Sequence, residues 1–448
     1  MDNNLNQLPD NQNRLKLFLS KLKIVLRKGF ISFSKRPALQ AWVIPINSIL
    51  ISFLFAAIIL RIIGAQPSLA LESMFQGAGL LPKARYGGGQ SQLTDFMTLV
   101  NNVTPMIFAA LAVAVALKAG LFNIGVSGQM IISGFVATVL IGYSGLGAGA
   151  SRVLVLLVGI VIGSATGAIM GFLKFKFNIN EVVQSIMFNY IYLYVVSYFI
   201  SSKYLNTITR SSNPISDASR LSLMSVPAGK VNVIFSIGFI IAVIFCVLVW
   251  FLLKKTKIGY EIKAVGLNRK ASNFSGINVG KNIVLAMTIS GALAGLAGVT
   301  YFLGATNSIK PETLISTGFD AIAVTLLGNS HPLGIVVASF LISGMNSGSV
   351  YMQAKAGVST QIPSLIIGLL LLFSACGAFV KHYIMKYAEI LEEKYKPIET
   401  TTVGSIETTD VIPPETTDTL QSGTDIAPNE KSTENNNEIK NNNQKEDI

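Results

Sequence analysis

VNVIFSIGFIIAVIFCVLVWFLLKK (231–255) decides the fold, because residues 231–253 carry no Asp, Glu, Lys or Arg and then two lysines follow. A helix needs about 20 apolar residues to cross a hydrocarbon core about 30 Å thick. This stretch meets that length, and Lys254-Lys255 supplies a charged flank. The pattern recurs on both sides of it, at 42–64, 98–117, 124–143, 152–172, 182–201, 282–304, 332–350 and 362–384. Segment 316–328 (STGFDAIAVTLLG) is also apolar, but at 1.5 Å per residue it reaches only about 20 Å. Hydrophobic residues make up 51% of the chain and charged residues 13%. Soluble domains average about 25% charged, so lipid is the solvent this composition fits.

Charge sets the expected topology. Lys and Arg gather on the cytoplasmic side of membrane proteins. Residues 14–36 (RLKLFLSKLKIVLRKGFISFSKR) are strongly basic and place the N-terminus inside. Six crossings return the chain to the cytoplasm at the basic loop 254–281, in agreement. Lys381, Lys386, Lys394 and Lys396 after the last span ask for an inside C-terminus. Nine crossings would put them outside. Counting 316–328 as a short or half-helix with an extended neighbour gives ten. The expected fold is therefore an all-α, polytopic transmembrane bundle of about ten membrane elements with both termini cytoplasmic.

The organisation follows from these segments. Residues 1–40 form a basic N-terminal segment. Within it, Leu15, Phe18, Leu19, Leu22 and Leu26 recur at helical spacing, which fits either an amphipathic surface helix or a plain topogenic flank. Residues 41–385 form the membrane domain, with 65–97 and 202–230 as external loops. Residues 386–448 form an acidic, cytoplasmic tail expected to be disordered. Its part from 397 holds 11 acidic and 3 basic residues, too few of them apolar to bury a core, and so is expected to be disordered. The basic balance of the remainder lies beside apolar runs and reads as topology, not nucleic-acid binding. Cys246 and Cys376 sit inside apolar runs and are expected to pack as small hydrophobes. GSATGAIMG (163–171) and SGALAGLAG (290–298) space small residues as closely packed membrane helices do.

Several chemistries have no residues to run on. The chain contains no GxxxxGK[ST] phosphate loop, HExxH or CxxC motif, and no metal site is expected. Within the apolar region only Glu181 and Asp320 bring carboxylates to or into a span. A buried carboxylate in lipid faces a cavity or a partner, and broken helices line transport routes. A capping role at a helix start is the alternative for both. The loop KKTKIGYEIKAVGLNRKASNFSGINVGK (254–281) has a short helical pattern at Ile262, Val265 and Ala271. It fits a docking element or an ordinary basic loop.

That loop resembles the cytoplasmic coupling segment of ABC-transporter permeases of the branched-chain amino acid, ribose and nucleoside group. GLFNIGVSGQM (120–130), NEVVQSIMFNYI (180–191) and GFDAIAVTLLGNSHPLGIV (318–336) resemble three further motifs of that family, in the same order. The match covers roughly 95–380. The GLFNIG form is similar to permeases of nucleoside importers that work with basic-membrane-lipoprotein binding proteins. Family members carry Glu where this sequence has Ser127, which removes a charge from the motif.

The resemblance implies a permease subunit of an ATP-driven importer in the bacterial plasma (inner) membrane, with no enzymatic site of its own. It implies nucleosides as cargo, with ribose or another simple sugar as the alternative. The implied partners are a second homologous permease, a cytoplasmic ABC ATPase that uses ATP and Mg, and an external substrate-binding lipoprotein. Gly259, Gly266 and Asn268 are expected to set the turns of the coupling segment. Tyr260, Ala264 and Val265, flanked by Lys263 and Ala271, are expected to pack against the ATPase. Asn123, Ser127, Gln129, Asn189 and Asp320 are the expected substrate path, because amides and hydroxyls suit a neutral polar cargo. A stand-alone secondary transporter and a membrane scaffold remain as readings of another class.

Overall fold

The computed structural model describes residues 36–84, 91–228, 231–359 and 361–394, together with positions 32 and 34. The expected amphipathic stretch at 14–36 lies almost wholly outside the described residues, and the expected disordered tail from 397 lies entirely outside them. The helices are α1 (Pro37–Ile62), α2 (Pro67–Gly77), α3 (Gln92–Lys118), α4 (Val126–Ala137), α5 (Ala148–Phe177) and α6 (Glu181–Phe199). Two small hairpins follow, β1–β2 (Leu205–Asn206, Ser211–Ser212) and β3–β4 (Ser222–Ala228, Val231–Ser236). Then come α7 (Ile237–Lys255), α8 (Lys257–Leu267), α9 (Arg269–Phe274), α10 (Val279–Thr300), α11 (Thr317–Leu327), α12 (Pro332–Ala356), α13 (Ile362–Ala375) and α14 (Gly377–Lys394). Helices α4, α6 and α10 each run on into a π-helical turn, at Thr138–Gly142, Ile200–Tyr204 and Tyr301–Thr306.

Among the described residues seven helices are long and apolar enough to cross a membrane. Three shorter apolar helices, Val126–Gly142, Thr317–Leu327 and Ile362–Ala375, complete the ten elements read from the sequence. The starts of α1 and α14 meet at one end of the bundle. Gln40, near the start of α1, and Lys381, in α14, line one cleft with Asn329 and Ser330. His331 sits beside them, and its imidazole is held below the ordinary range by partial burial, then by Lys254 and Lys118. The cleft thus brings the start of α1, the start of α14 and the α11–α12 turn together near Lys254 and Lys118.

The structure corrects the sequence reading in several places. Residues 231–236 are a strand paired with Ser222–Ala228, so the helix starts six residues later than expected. A short β-branched apolar run fits strand and helix alike until a partner strand decides. The segment 65–97 is more than a loop. Its α2 packs on α12 so closely that a Cβ on Gly348 would strike the Met74 carbonyl. The span expected at 362–384 breaks at Cys376, and α14 carries Lys381, His382 and Lys386 on a separate helix that runs to Lys394, so residues 386–394 of the tail expected to be disordered are helical. Cys246 is buried as expected, whereas Cys376, at that break, is exposed.

The packing centre is the crossing of α5 and α10. A Cβ on Gly163 would strike the Gly291 carbonyl, and one on Gly291 would strike the Gly163 carbonyl. Gly167 meets Met287 and Gly295 meets Gly159 in the same way. Gly163, Gly167, Gly291 and Gly295 belong to the two small-residue stretches, which therefore pack on each other. The next glycine of α10, Gly298, receives Met130 of α4. Replacing Gly291 with Leu should push the helices apart, at a cost of about 1–3 kcal/mol or more. Gly149→Ala, where a Cβ meets nothing within 4 Å, should leave the thermal unfolding midpoint of the detergent-purified protein unchanged. A Gly291→Leu protein with a wild-type midpoint would contradict this packing.

Candidate functional site

Two helix starts meet inside the bundle, and the residues around them account for most of the expected site. After α3 the chain turns at Gly120 (φ 66°) and runs back as a strap, 121–125, before α4 begins. A strap inside a membrane protein must satisfy its own backbone groups. Side chains do so here. The Asn123 amide nitrogen donates to Gln129 Oε1 (3.1 Å) and Ser290 Oγ (2.9 Å), while its oxygen accepts from the Gly125 N–H (2.9 Å). Ser290 Oγ donates onward to the Ala112 carbonyl of α3 at 2.7 Å. Asn189 of α6 accepts from the Gly128 N–H (2.7 Å) and donates to the Ile124 carbonyl (3.0 Å). Gln129 Nε2 reaches Met170 Sδ at 3.2 Å. All four of Asn123, Ser127, Gln129 and Asn189 are buried.

The second helix start is that of α11. It begins after an irregular strap, 307–316, with Asn307 and Glu312 at positive φ. Ser127 Oγ donates to the Ile315 carbonyl at 2.8 Å, and Gly318 lies against the Ser127 backbone. The first turns of α4 and α11 thus touch, with two positive helix ends close together. Asp320 sits in the first turn of α11, one turn past the N-cap Ser316. It brings negative charge to that end and accepts from Asn346 Nδ2 of α12 at 3.0 Å. Unlike the four residues above, Asp320 and Asn346 are only half-buried. Asn102 of α3 donates to Ser347 Oγ at 3.1 Å beside them, and these two are also half-buried. The structure therefore joins Asn123, Gln129, Asn189 and Ser127 in a closed joint. It sets Asp320 in a separate, half-buried pair with Asn346, whose chain neighbour Ser347 pairs with Asn102.

The basic loop is a built platform. The Thr256 hydroxyl caps α8 by accepting from the Gly259 N–H (3.1 Å), and Asn268 caps α9 by accepting from the Ala271 N–H (3.0 Å). Ile262 and Val265 are buried among Ala116, Ala119, Leu121 and Met170, each worth about 1.5–3 kcal/mol. Val265 thus holds the loop to the bundle. Gly259 and Gly266 lie in α8, where a Cβ would strike the Leu252 and Lys118 carbonyls respectively. Gly120 in turn would bring a Cβ to 3.0 Å from the Gly266 carbonyl. Arg269 Nη2 donates to the Gly120 carbonyl at 3.2 Å. Ala264 and Lys263 are half-buried, while Tyr260 and Ala271 face outward. At the basic end, Lys174 and Glu181 pair at 2.8 Å across the α5–α6 turn, so Glu181 is a helix-start carboxylate held by a cation.

Sequence reasoning missed the residues that this platform exposes. Leu267 and Phe274 are 88% and 91% exposed. An open groove of about 620 Å³ runs beside them, lined by Phe175, Arg269, Lys270, Asn273 and Ile277 among others. The signals for them were the period of α8 itself, which turns Leu267 away from Ile262 and Val265, and the new helix begun at the Asn268 cap, which carries Phe274. Asn346 and Asn102 carried no motif. Among the described residues no group of three or more His, Cys, Asp and Glu is placed to hold a metal ion.

Comparison with known proteins gives a family. A family model described as the permease component of branched-chain amino acid transport systems matches residues 96–375. The guanosine ABC transporter permease protein NupP of Bacillus subtilis is 35% identical over 292 residues, covering 64% of this chain and 82% of that protein. The nucleoside ABC transporter permease protein NupB of Lactococcus lactis is 33% identical over 351 residues, covering 77% of this chain and 93% of that one. A further permease of the same Lactococcus strain, the nucleoside ABC transporter permease protein NupC, is 24% identical over 264 residues, covering 58% and 83%.

The joint makes a direct prediction. Asn189→Leu would leave the Gly128 N–H and the Ile124 carbonyl buried without partners, at about 1–3 kcal/mol each. The unfolding midpoint in detergent should fall clearly. Asn346→Ala, which frees a carboxylate at a half-open site, should lower it less. The reverse order would show that Asn189 does not hold the joint.

Proposed function

The chain belongs to the permease-component family of branched-chain amino acid transport systems, and on that footing we propose that it is one membrane half of an ATP-driven nucleoside importer. The observation that carries this reading is the platform α8–α9. It is fastened to the bundle through Ile262, Val265, Gly266 and Arg269, yet it leaves Leu267, Phe274 and Tyr260 facing out. Large apolar side chains this exposed at a charged, non-lipid end mark a surface for another protein. The chain has no phosphate loop, so ATP and Mg belong to that other protein, a cytoplasmic ABC ATPase.

Nucleosides are the cargo favoured by the similarity to permeases named for guanosine and for nucleosides. The similarity to both NupB and NupC, two permeases of one organism, favours a second, similar permease as partner. The excess of lysine and arginine at the loop end favours a cytoplasmic position for that end in a bacterial plasma membrane. An external binding lipoprotein would then deliver cargo at the opposite end.

In this reading, closure of the ATPase moves α8–α9 as one body. Val265 and Gly266 pass the displacement to the strap at Gly120, and from there to Asn123, Gln129 and α4. Tyr260, Lys263, Ala264 and Ala271 complete the outward surface. Gly259 and Asn268 fix where its helices begin. Ser127 and Asn189 keep the two helix starts in register. Asp320 with Asn346 supplies the open polar group that a neutral, hydroxyl-bearing cargo meets.

Leu267→Asp combined with Phe274→Asp should abolish co-purification of the ATPase and lower uptake of labelled guanosine at least roughly tenfold, as loss of an interface hot spot does. The amount of protein in the membrane should be unchanged. Normal uptake by this variant would refute the docking role. Wild-type uptake that persists after ATP depletion, or that carries ribose or branched-chain amino acids instead of nucleosides, would refute the respective part of the proposal.

A further inference from the structure

The outward side of α6 is not built for lipid. Among the seven long helices of the described residues, the one comprising α6 and its π-turn is the least apolar, although most of it lies at the surface of the chain. Helix α3 is buried along nearly all its length and is more apolar. Lipid contact selects the opposite order, with the most exposed helix the most apolar. Helices α1 and α7 obey it, presenting Leu50, Leu54 and Ile58, and Ile244, Val247 and Phe251. Helix α6 presents Tyr190, Tyr194 and Tyr198, exposed by 48%, 62% and 68%, set among exposed Met187, Ile191 and Val195.

The three tyrosines recur every fourth residue, so they form one stripe on one face. The rings of Tyr190 and Tyr194 are stacked, with centroids 6.4 Å apart. At 1.5 Å per residue the stripe runs from about 13 to about 25 Å above Glu181. In a core about 30 Å thick that puts Tyr190 and Tyr194 well inside and Tyr198 nearer the outer edge, whereas tyrosines that anchor a helix in a bilayer sit at its edges. A phenol in mid-hydrocarbon gives up hydrogen bonds to water with nothing in return. The helix is also tied to the polar break of the bundle. Asn189 holds the first turn of α4, and Ser197 Oγ accepts from the Glu312 N–H of the strap before α11 at 2.7 Å. The stripe thus lies on the outward side of a helix whose buried side is fastened to the first turn of α4 and to the strap before α11.

We propose that Tyr190, Tyr194 and Tyr198 line the transport path and stack the base of the passing nucleoside. This rests on the nucleoside reading above. A phenol ring offers a face to any nucleobase, because every base has a π-surface. Its hydroxyl can pair with ribose or a base edge. Steps of one helical turn let a base pass from one ring to the next while still in contact. Aliphatic residues at these positions would offer neither feature.

The test uses the complete transporter, with both permeases, the ATPase and the lipoprotein, in proteoliposomes. Tyr194→Leu keeps the bulk and apolar character but removes the ring, and Tyr194→Phe keeps the ring. The Leu variant should raise the guanosine KM about tenfold, in line with loss of one stacking partner, with basal ATP hydrolysis and assembly unchanged. The Phe variant should stay within about threefold. A Leu variant with a wild-type KM, or a Phe variant as impaired as the Leu one, overturns the stacking role while leaving nucleoside transport standing. Loss of the second permease from the purified Leu complex also overturns it, and makes the stripe a subunit contact. A wild-type complex that moves no nucleoside defeats the nucleoside reading itself, and this assignment with it.

Discussion

Everything near the centre of this bundle is positioned by one constraint, the backbone-to-backbone crossing of α5 and α10. Gly163, Gly167, Gly291 and Gly295 leave no side chain between the two helices. In lipid there is no hydrophobic drive to press helices together, so close packing of this kind carries the association. Helix α10 then presents its other faces at fixed positions. Gly298 seats Met130 of α4, and Ser290 holds Asn123 on one side and the Ala112 carbonyl on the other. The strap 121–125 and the start of α4 are located by these contacts.

A membrane interior tolerates a broken helix only where protein replaces the missing backbone partners. Asn123, Ser127 and Asn189 do this for α4 and for the strap that leads into α11. The joint has little to spare, since the amides of Asn123 and Asn189 are each used at both nitrogen and oxygen. The half-open group of Asp320, Asn346, Asn102 and Ser347 lies outside that closed set. The same sequence thus separates polar residues fully enclosed in the architecture from polar residues that keep partial exposure.

Much of the architecture was legible in the sequence. The ten apolar segments, the basic loop and the two glycine-rich stretches each carry a local signal, of length, charge or spacing. What was not legible depended on a partner distant in the chain. Residues 231–236 read as the start of a helix until Ser222–Ala228 is seen to pair with them. Val265 reads as a docking residue beside Tyr260 and Ala264, and only the cluster with Ala116 and Met170 shows that it is buried. Asn123 and Asn189 invite a cargo role because an amide in an apolar run reads the same whether it serves a ligand or a carbonyl. Asn346 carried no signal, since its place opposite Asp320 is created by the crossing of α11 and α12.

The meeting of Gly120 and Gly266 has a further consequence. The loop and the strap touch through bare backbone at both positions, with no side chain to adjust between them. They form one exchangeable unit. A chimera that imports 254–281 from a relative without its matching 119–125 would join surfaces shaped for different neighbours. Moving both segments together would preserve the fit. Boundaries for building hybrid transporters therefore follow this contact, not the order of helices along the chain.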